Sequence, residues 1–159
     1  MLSRGSLLLR MELRSNPELL YVVRSALLSL TERLGFPDPE CHAVVLAVDE
    51  ALTNIMRHAY QGQRERPIEV MFRRIQVARE GMSQDALEIV LLDKGAPVDR
   101  SKLHRRPLPT ASIEEVRPGG LGLHFVRESM DKVEFRRRNG MNQLRLLKFL
   151  PKGESNKAS

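Results

Sequence analysis

The stretch Val48-Asp49-Glu50-Ala51-Leu52-Thr53-Asn54-Ile55-Met56-Arg57-His58-Ala59-Tyr60 decides how the rest of the chain is arranged. It lies inside a run, Asp38 to Gly62, whose punctuation predicts one helix. Asp38 suits the N-cap, Pro39 the first helical position, and Gly62 the left-handed stop. Cys41, Val44, Val45, Val48, Leu52, Ile55 and Ala59 recur at three- and four-residue steps, which makes one apolar stripe. Glu50, Asn54 and His58 stand four apart and share a different face. A carboxylate and a carboxamide one turn apart can hold a water or a hydroxyl beside a metal ion. The Asn54 oxygen is a hard neutral ligand suited to magnesium, and Glu50 could take a proton nearby. Taken alone, the pair reads more readily as the wet side of an amphipathic helix, and the blocks downstream are what turn that reading.

Two glycine signals follow at domain-scale distances. The first is Leu87-Glu88-Ile89-Val90-Leu91-Leu92-Asp93-Lys94-Gly95-Ala96-Pro97-Val98-Asp99, an apolar strand-like run ending in Asp-x-Gly. A carboxylate at Asp93 can accept from an exocyclic amine, and Gly95 lets the backbone turn close to a flat ring. A strand-end Asp capping its own turn is the plainer alternative. The second is Arg117-Pro118-Gly119-Gly120-Leu121-Gly122-Leu123-His124-Phe125-Val126-Arg127-Glu128-Ser129-Met130-Asp131, a Gly-rich entry into a helix. Free N–H groups and the positive helix end there can cradle phosphate, unless the glycines serve tight packing alone. No Gly-Lys-Ser/Thr is present, so a Walker-type loop is excluded.

Together the three blocks resemble the N, G1 and G2 boxes of the Bergerat-fold (GHKL) ATPases, and in wording the anti-sigma-factor serine/threonine kinase branch. The resemblance covers about residues 7–150. It implies ATP and Mg2+ as cofactors. Glu50 would be the catalytic base, and Asn54 would be both nucleotide contact and metal ligand. Asp93 and Gly95 would hold adenine, and Gly119, Gly120, Leu121 and Gly122 the phosphates. Arg117 precedes the glycines, where a cation could reach the terminal phosphate or an incoming partner, or simply sit exposed. Pro97 stands where the fuller Asp-x-Gly-x-Gly motif has its second glycine, which the branch tolerates. The implied function is phosphorylation of a small antagonist protein together with binding of a sigma factor, with a homodimer left open. A nucleotide-binding module that controls its partner by binding alone is the alternative. A histidine-kinase catalytic domain or hydrolytic ATPase is disfavoured by the short lid.

The bulk properties agree. At 159 residues, with 42% hydrophobic and 29% charged residues, the chain can bury one core and is not a disordered polymer. No apolar run approaches the roughly 20 residues a bilayer-spanning helix needs. The start, Met1-Leu2-Ser3-Arg4-Gly5-Ser6-Leu7, lacks a long apolar core, so a cytoplasmic location is expected and no membrane partner. The single Cys41 lies on the apolar stripe and reads as a core residue. A net charge of +6 raises nucleic acid as a partner, but the basic residues are dispersed and aromatics are only 4%, leaving few rings to stack on bases. No direct nucleic-acid role is expected.

Working outward, Leu7, Leu9, Met11 and Leu13 alternate with polar neighbours and predict a strand. Asn16 caps a helix that Gly35 closes, with Leu20, Val23, Leu27, Leu30 and Leu34 inward. After a polar loop at 61–66, a strand is expected from Ile68 to about Val77. A hairpin connection follows at 79–85, then a central strand at 87–92. The proline- and arginine-broken segment 94–118 reads as a lid. A helix from Gly122 to Met130, with Leu123, Val126 and Met130 inward, precedes a strand at 132–136. Asn139-Gly140 is a type I′ turn signal leading into a last strand at 143–149. These elements predict an α/β two-layer sandwich of Bergerat type, with a mainly antiparallel mixed sheet and helices on one face. Residues 1–150 form the single ATP-binding domain and 151–159 a polar tail.

Overall fold

The computed structural model describes residues 5–98 and 120–153, and of 120–123 the backbone alone. The expected lid therefore lies, from residue 99 onward, outside the described residues, as do Arg117, Gly119 and most of the polar tail.

Strand β1, Ser6–Arg14, carries Leu9, Met11 and Leu13 against the core. Leu7 departs from the expected stripe and is 55% exposed. A bulge explains it: Leu7 pairs with Arg73 and Leu9 with Phe72, so an extra residue flips the strand's start to the other face. Asn16 then accepts the Glu18 N–H at 3.1 Å and caps a short 3-10 turn, Pro17–Leu19, which leads into helix α1, Leu20–Arg33. Gly35, at φ +88°, ends it as expected. The Phe36 N–H reaches back to the Thr31 carbonyl at 3.2 Å.

Helix α2, Asp38–Asn54, starts one residue earlier than its cap signal implies. Pro37 occupies the N-cap position, its carbonyl accepting the Cys41 N–H at 3.0 Å, and Asp38 is already helical. The buried face is Cys41, Val44, Ala47, Val48, Ala51 and Leu52. Val45 and Ala59 are only partly buried. The two alanines give α1 and a later helix room to pack closely on α2.

The expected uniform helix to Gly62 is also corrected. From Ile55 to Ala59 the chain widens into a π-helical turn. The Tyr60 N–H reaches the Ile55 carbonyl at 2.9 Å, and the Gly62 N–H reaches Met56, also at 2.9 Å. The wider turn breaks the four-residue register between Asn54 and His58.

Strands β2, Pro67–Arg79, and β3, Met82–Asp93, form a long hairpin. Glu80 and Gly81 have φ +51° and +77°, a two-residue turn, so Met82–Asp85 belong to β3 and not to a loop. Helix α3 spans Gly120–Ser129, two residues ahead of its expected start. Strands β4, Lys132–Arg138, and β5, Met141–Phe149, are joined at Asn139-Gly140, with φ +53° and +74° as a type I′ turn requires.

The five strands run β1-β2-β3-β5-β4, and each described pairing is antiparallel. The central place of β3 explains its burial on both faces. Ile68, Val70, Phe72, Leu87, Ile89, Leu91 and Leu146 meet Val23, Leu27, Val44, Val48, Leu52 and Val126 in one core. Full burial of each large aliphatic side chain contributes about 1.5–3 kcal/mol, which holds the helical layer to one face of the sheet. Among the described residues no helix is long and apolar enough to cross a membrane.

Candidate functional site

Three strands bring one polar row to the end of the core-facing surface. Asp93, the last residue of β3, pairs across the sheet with Asn142 of β5, and Asn142 pairs with Arg137 of β4. Asp93 is 4% exposed and Asn142 1%. Asp93 Oδ1 accepts the Gly95 N–H at 2.8 Å and Asn142 Nδ2 at 2.9 Å. Arg137 Nη1 donates to Asn142 Oδ1 at 2.7 Å and to the Gly95 carbonyl at 3.0 Å. The other Asp93 oxygen takes no hydrogen bond from any described residue.

The loop after Asp93 is fastened to the end of the central helix. The Ala96 N–H donates to the Ala59 carbonyl at 2.8 Å. The Tyr60 hydroxyl accepts the Lys94 N–H at 2.9 Å and donates to the Pro67 carbonyl. Gly95 is required here by space: a Cβ on it would lie 2.5 Å from the Ala59 oxygen.

Burial dominates the electrostatics of Asp93 and pushes its carboxyl above the ordinary aspartate value. The Asn142 and Gly95 hydrogen bonds and the Arg137 charge oppose that rise. Burial, aided by the Asp93 charge, likewise raises the Tyr60 phenol, against the pull of the Lys94 N–H and Arg66.

Glu50 and Asn54 lie one turn apart on α2, both half-buried. Neighbouring Asp49 is occupied by Arg24 at 2.6 Å. Neither Glu50 nor Asn54 has a side-chain hydrogen bond among the described residues, and Asn54 Nδ2 is buried without a partner. A buried amide left unpaired costs about 1–3 kcal/mol, so its persistence calls for a group supplied from outside the chain. The unpaired atom is a donor, so that group is an acceptor such as a phosphate oxygen, while the Asn54 carbonyl oxygen is the end that could face a cation. No described group of three His, Cys, Asp or Glu residues could hold a metal unaided. A magnesium ion there would draw on Asn54 and on oxygens of phosphate and water.

Asn54 immediately precedes the widened turn whose last residue, Ala59, touches Gly95, so these residues border one region. Helix α3 packs on α2, and its first turn contains Gly120, Leu121 and Gly122. His58 is exposed on the widened turn. Cys41 is fully buried, its thiol donating to the Phe36 carbonyl, as a core residue.

Sequence reasoning missed Asn142, Arg137, Tyr60 and Ser15. A signal existed for the first two. Asn142 shares its side of β5 with Leu144 and Leu146, and Arg137 its side of β4 with Val133 and Phe135. A polar residue on the inward side of a strand needs a partner.

The model of the histidine kinase-like ATPase domain family matches residues 13–148. The chain belongs to that family. Membership accords with the two-layer architecture and with Asp93 at the strand end. Similar proteins within this ATPase family include one from Bacillus pumilus (strain SAFR-032). It is 32% identical over 146 residues, covering 90% of this chain and 86% of its own. Another is from Oceanobacillus iheyensis (strain DSM 14371), 29% identical over 84% of this chain and 81% of its own. A third, from Bacillus subtilis (strain 168), is 26% identical over 84% and 80%. All three are named serine-protein kinase RsbW, so the enzyme class implied by the three boxes agrees with the comparisons.

Proposed function

We propose that this chain is an ATP- and Mg2+-dependent serine/threonine protein kinase of anti-sigma-factor type. It binds a sigma factor and phosphorylates a small antagonist of the anti-sigma factor. The observation that carries the reading is the uncommitted oxygen of Asp93, a residue 4% exposed at a strand end beside Gly95. It is a receptor for an amine on a flat base. Family membership and the serine-protein kinase relatives add the reaction class.

Each residue then has one task. Asp93 accepts from the adenine amine while Gly95, packed against the Ala59 backbone, holds the loop after Asp93 close to the base. The backbone N–H groups of Gly120, Leu121 and Gly122, in the first turn of α3, hold phosphate oxygens together with that of Gly119, which precedes them in sequence, and Arg117 steadies the terminal phosphate. Asn54 ligates magnesium. When bound, that ion neutralises phosphate charge and aligns the transferable group. Glu50 orients the acceptor hydroxyl and takes its proton, a role its uncommitted side chain leaves open.

The test is incubation with labelled ATP, magnesium and candidate antagonist proteins. Label on a serine or threonine of one antagonist supports the kinase. Tight nucleotide and partner binding without transfer would leave a module that acts by binding alone.

A further inference from the structure

The nucleotide reading uses Asp93 but leaves two interactions behind it unexplained, the buried Asn142–Asp93 bond and the part-buried Arg137–Asn142 bond. We propose that Arg137 and Asn142 are positioning residues that fix Asp93 as an acceptor-only group and so select a 6-amino purine over a 6-oxo purine. This inference rests on the proposed nucleotide site and deepens it.

An asparagine amide has a donor end and an acceptor end, and nothing intrinsic decides which faces a neighbour. Arg137 decides it, because a guanidinium has only donors. Its Nη1, 2.7 Å from Asn142 Oδ1, claims the acceptor end. The donor end, Nδ2, therefore faces Asp93 Oδ1 at 2.9 Å. Two carbonyls agree with that polarity, Ala96 at 2.9 Å and Gly95 at 3.4 Å from the same Nδ2.

Asp93 Oδ1 thus receives two donors, from Asn142 and from the Gly95 backbone. Donors stabilise the anion against a burial that favours the neutral acid. What remains for a ligand is an oxygen that can only accept. An amine at purine position 6 satisfies it. A carbonyl there would set two acceptors face to face, leaving both unpaired in a buried site. Among the described residues, Lys94 follows Asp93 in the chain, Arg137 acts on it by charge, and Tyr60, at the end of the central helix, has its hydroxyl occupied by Pro67 and Lys94. From β2 the opposing residue is the apolar Ile68.

Calorimetric titration with ADP and with inosine diphosphate, from mildly acidic to neutral pH, tests this. The parent should prefer ADP by about tenfold or more, the scale of one buried mispaired hydrogen bond. Arg137→Met removes the donor on Asn142 Oδ1 and the positive charge beside Asp93. It should narrow the preference by about tenfold and move upward the pH at which ADP affinity is half lost. Arg137→Lys, which keeps a donor for Asn142, should retain both properties. The exposed position of residue 137 makes these substitutions compatible with folding. Should Arg137→Met melt early, Asn142→Leu carries the same expectation. A purely structural brace would weaken both nucleotides together with the ratio and pH midpoint unchanged, and that result overturns the inference. So does a parent that binds both nucleotides equally. A parent that binds neither removes the nucleotide reading itself.

Discussion

The backbone of Ala59 is pinned to the backbone that flanks Gly95. The Ala59 carbonyl accepts the Ala96 N–H at 2.8 Å, and a Cβ on Gly95 would stand 2.5 Å from that same oxygen. Backbone cannot swing aside as a flexible side chain can. Gly95→Ala should therefore lose about 1–3 kcal/mol in urea unfolding, as overpacking does. It should lose ADP affinity as well, because the loop after Asp93 must move. Unchanged unfolding and titration curves would show that the loop is free to shift.

Asp93→Asn should dissociate stability from binding. Burial raises the Asp93 carboxyl above its ordinary value of 3.8, so the folded chain keeps that proton to higher pH than the unfolded chain. Between the two values the folded state binds more protons, and stability falls as pH rises through that window. Asparagine removes the slope, and the nucleotide-free variant should melt no lower than the parent at neutral pH. Its Nδ2 would replace the open oxygen with a donor, so preference should turn from ADP toward inosine diphosphate. Thermal melts across pH, paired with titrations of the two nucleotides, check both halves.

Glu50 and Asn54 should fail differently when altered. Glu50→Gln keeps the shape and most ATP affinity but should lose transfer by roughly 100- to 10,000-fold in single-turnover assays. Asn54→Ala should weaken ATP in the presence of magnesium while leaving the apo melting temperature the same or higher, since an unpaired buried amide disappears. A Glu50→Gln protein transferring phosphate at the parent rate would end the general-base assignment.

Ser15 ties the start of the helical layer to the loop before β2. Its hydroxyl donates to the Gln63 carbonyl at 2.7 Å and accepts the Arg66 N–H at 3.0 Å, and the residue is 2% exposed. Ser15→Ala removes two part-buried hydrogen bonds, to the Gln63 carbonyl and from the Arg66 N–H, at a cost of about 1–3 kcal/mol. For a chain of this size each kcal/mol lowers Tm by about 2–4 °C. A melt displaced by less than one such step would mean water replaces the hydroxyl.

Periodicity and turn chemistry made most of the architecture legible. The Gly35 stop, the Asn139-Gly140 turn and the central place of β3 follow from local rules that tertiary contacts reinforce. The wide turn at Ile55–Ala59 was not legible, because apolar spacing continues through it. Its cause lies in contacts with the distant Lys94–Ala96 segment. Leu7 was misread because a bulge reverses strand alternation without any composition signal. At the site, Asp93 and Gly95 announce themselves by motif. Asn142 and Arg137 carried only the weaker signal of polar residues on an inward strand side, and register is what sets them beside Asp93.

The seam between the two hairpins has a kinetic consequence. Each hairpin closes locally, through Glu80-Gly81 or Asn139-Gly140, whereas the Asp93–Asn142 contact joins residues 49 apart. Closing that loop costs chain entropy before any contact compensates it, so hairpin docking follows hairpin formation. The proposed base-recognition site is then completed late in folding, at the step that makes the sheet whole. Nucleotide should accordingly slow unfolding while leaving the refolding rate nearly unchanged, which stopped-flow measurements with and without ADP would reveal. A half-assembled chain offers ligand nothing to hold, and bound nucleotide becomes a report that synthesis ended in a finished sheet.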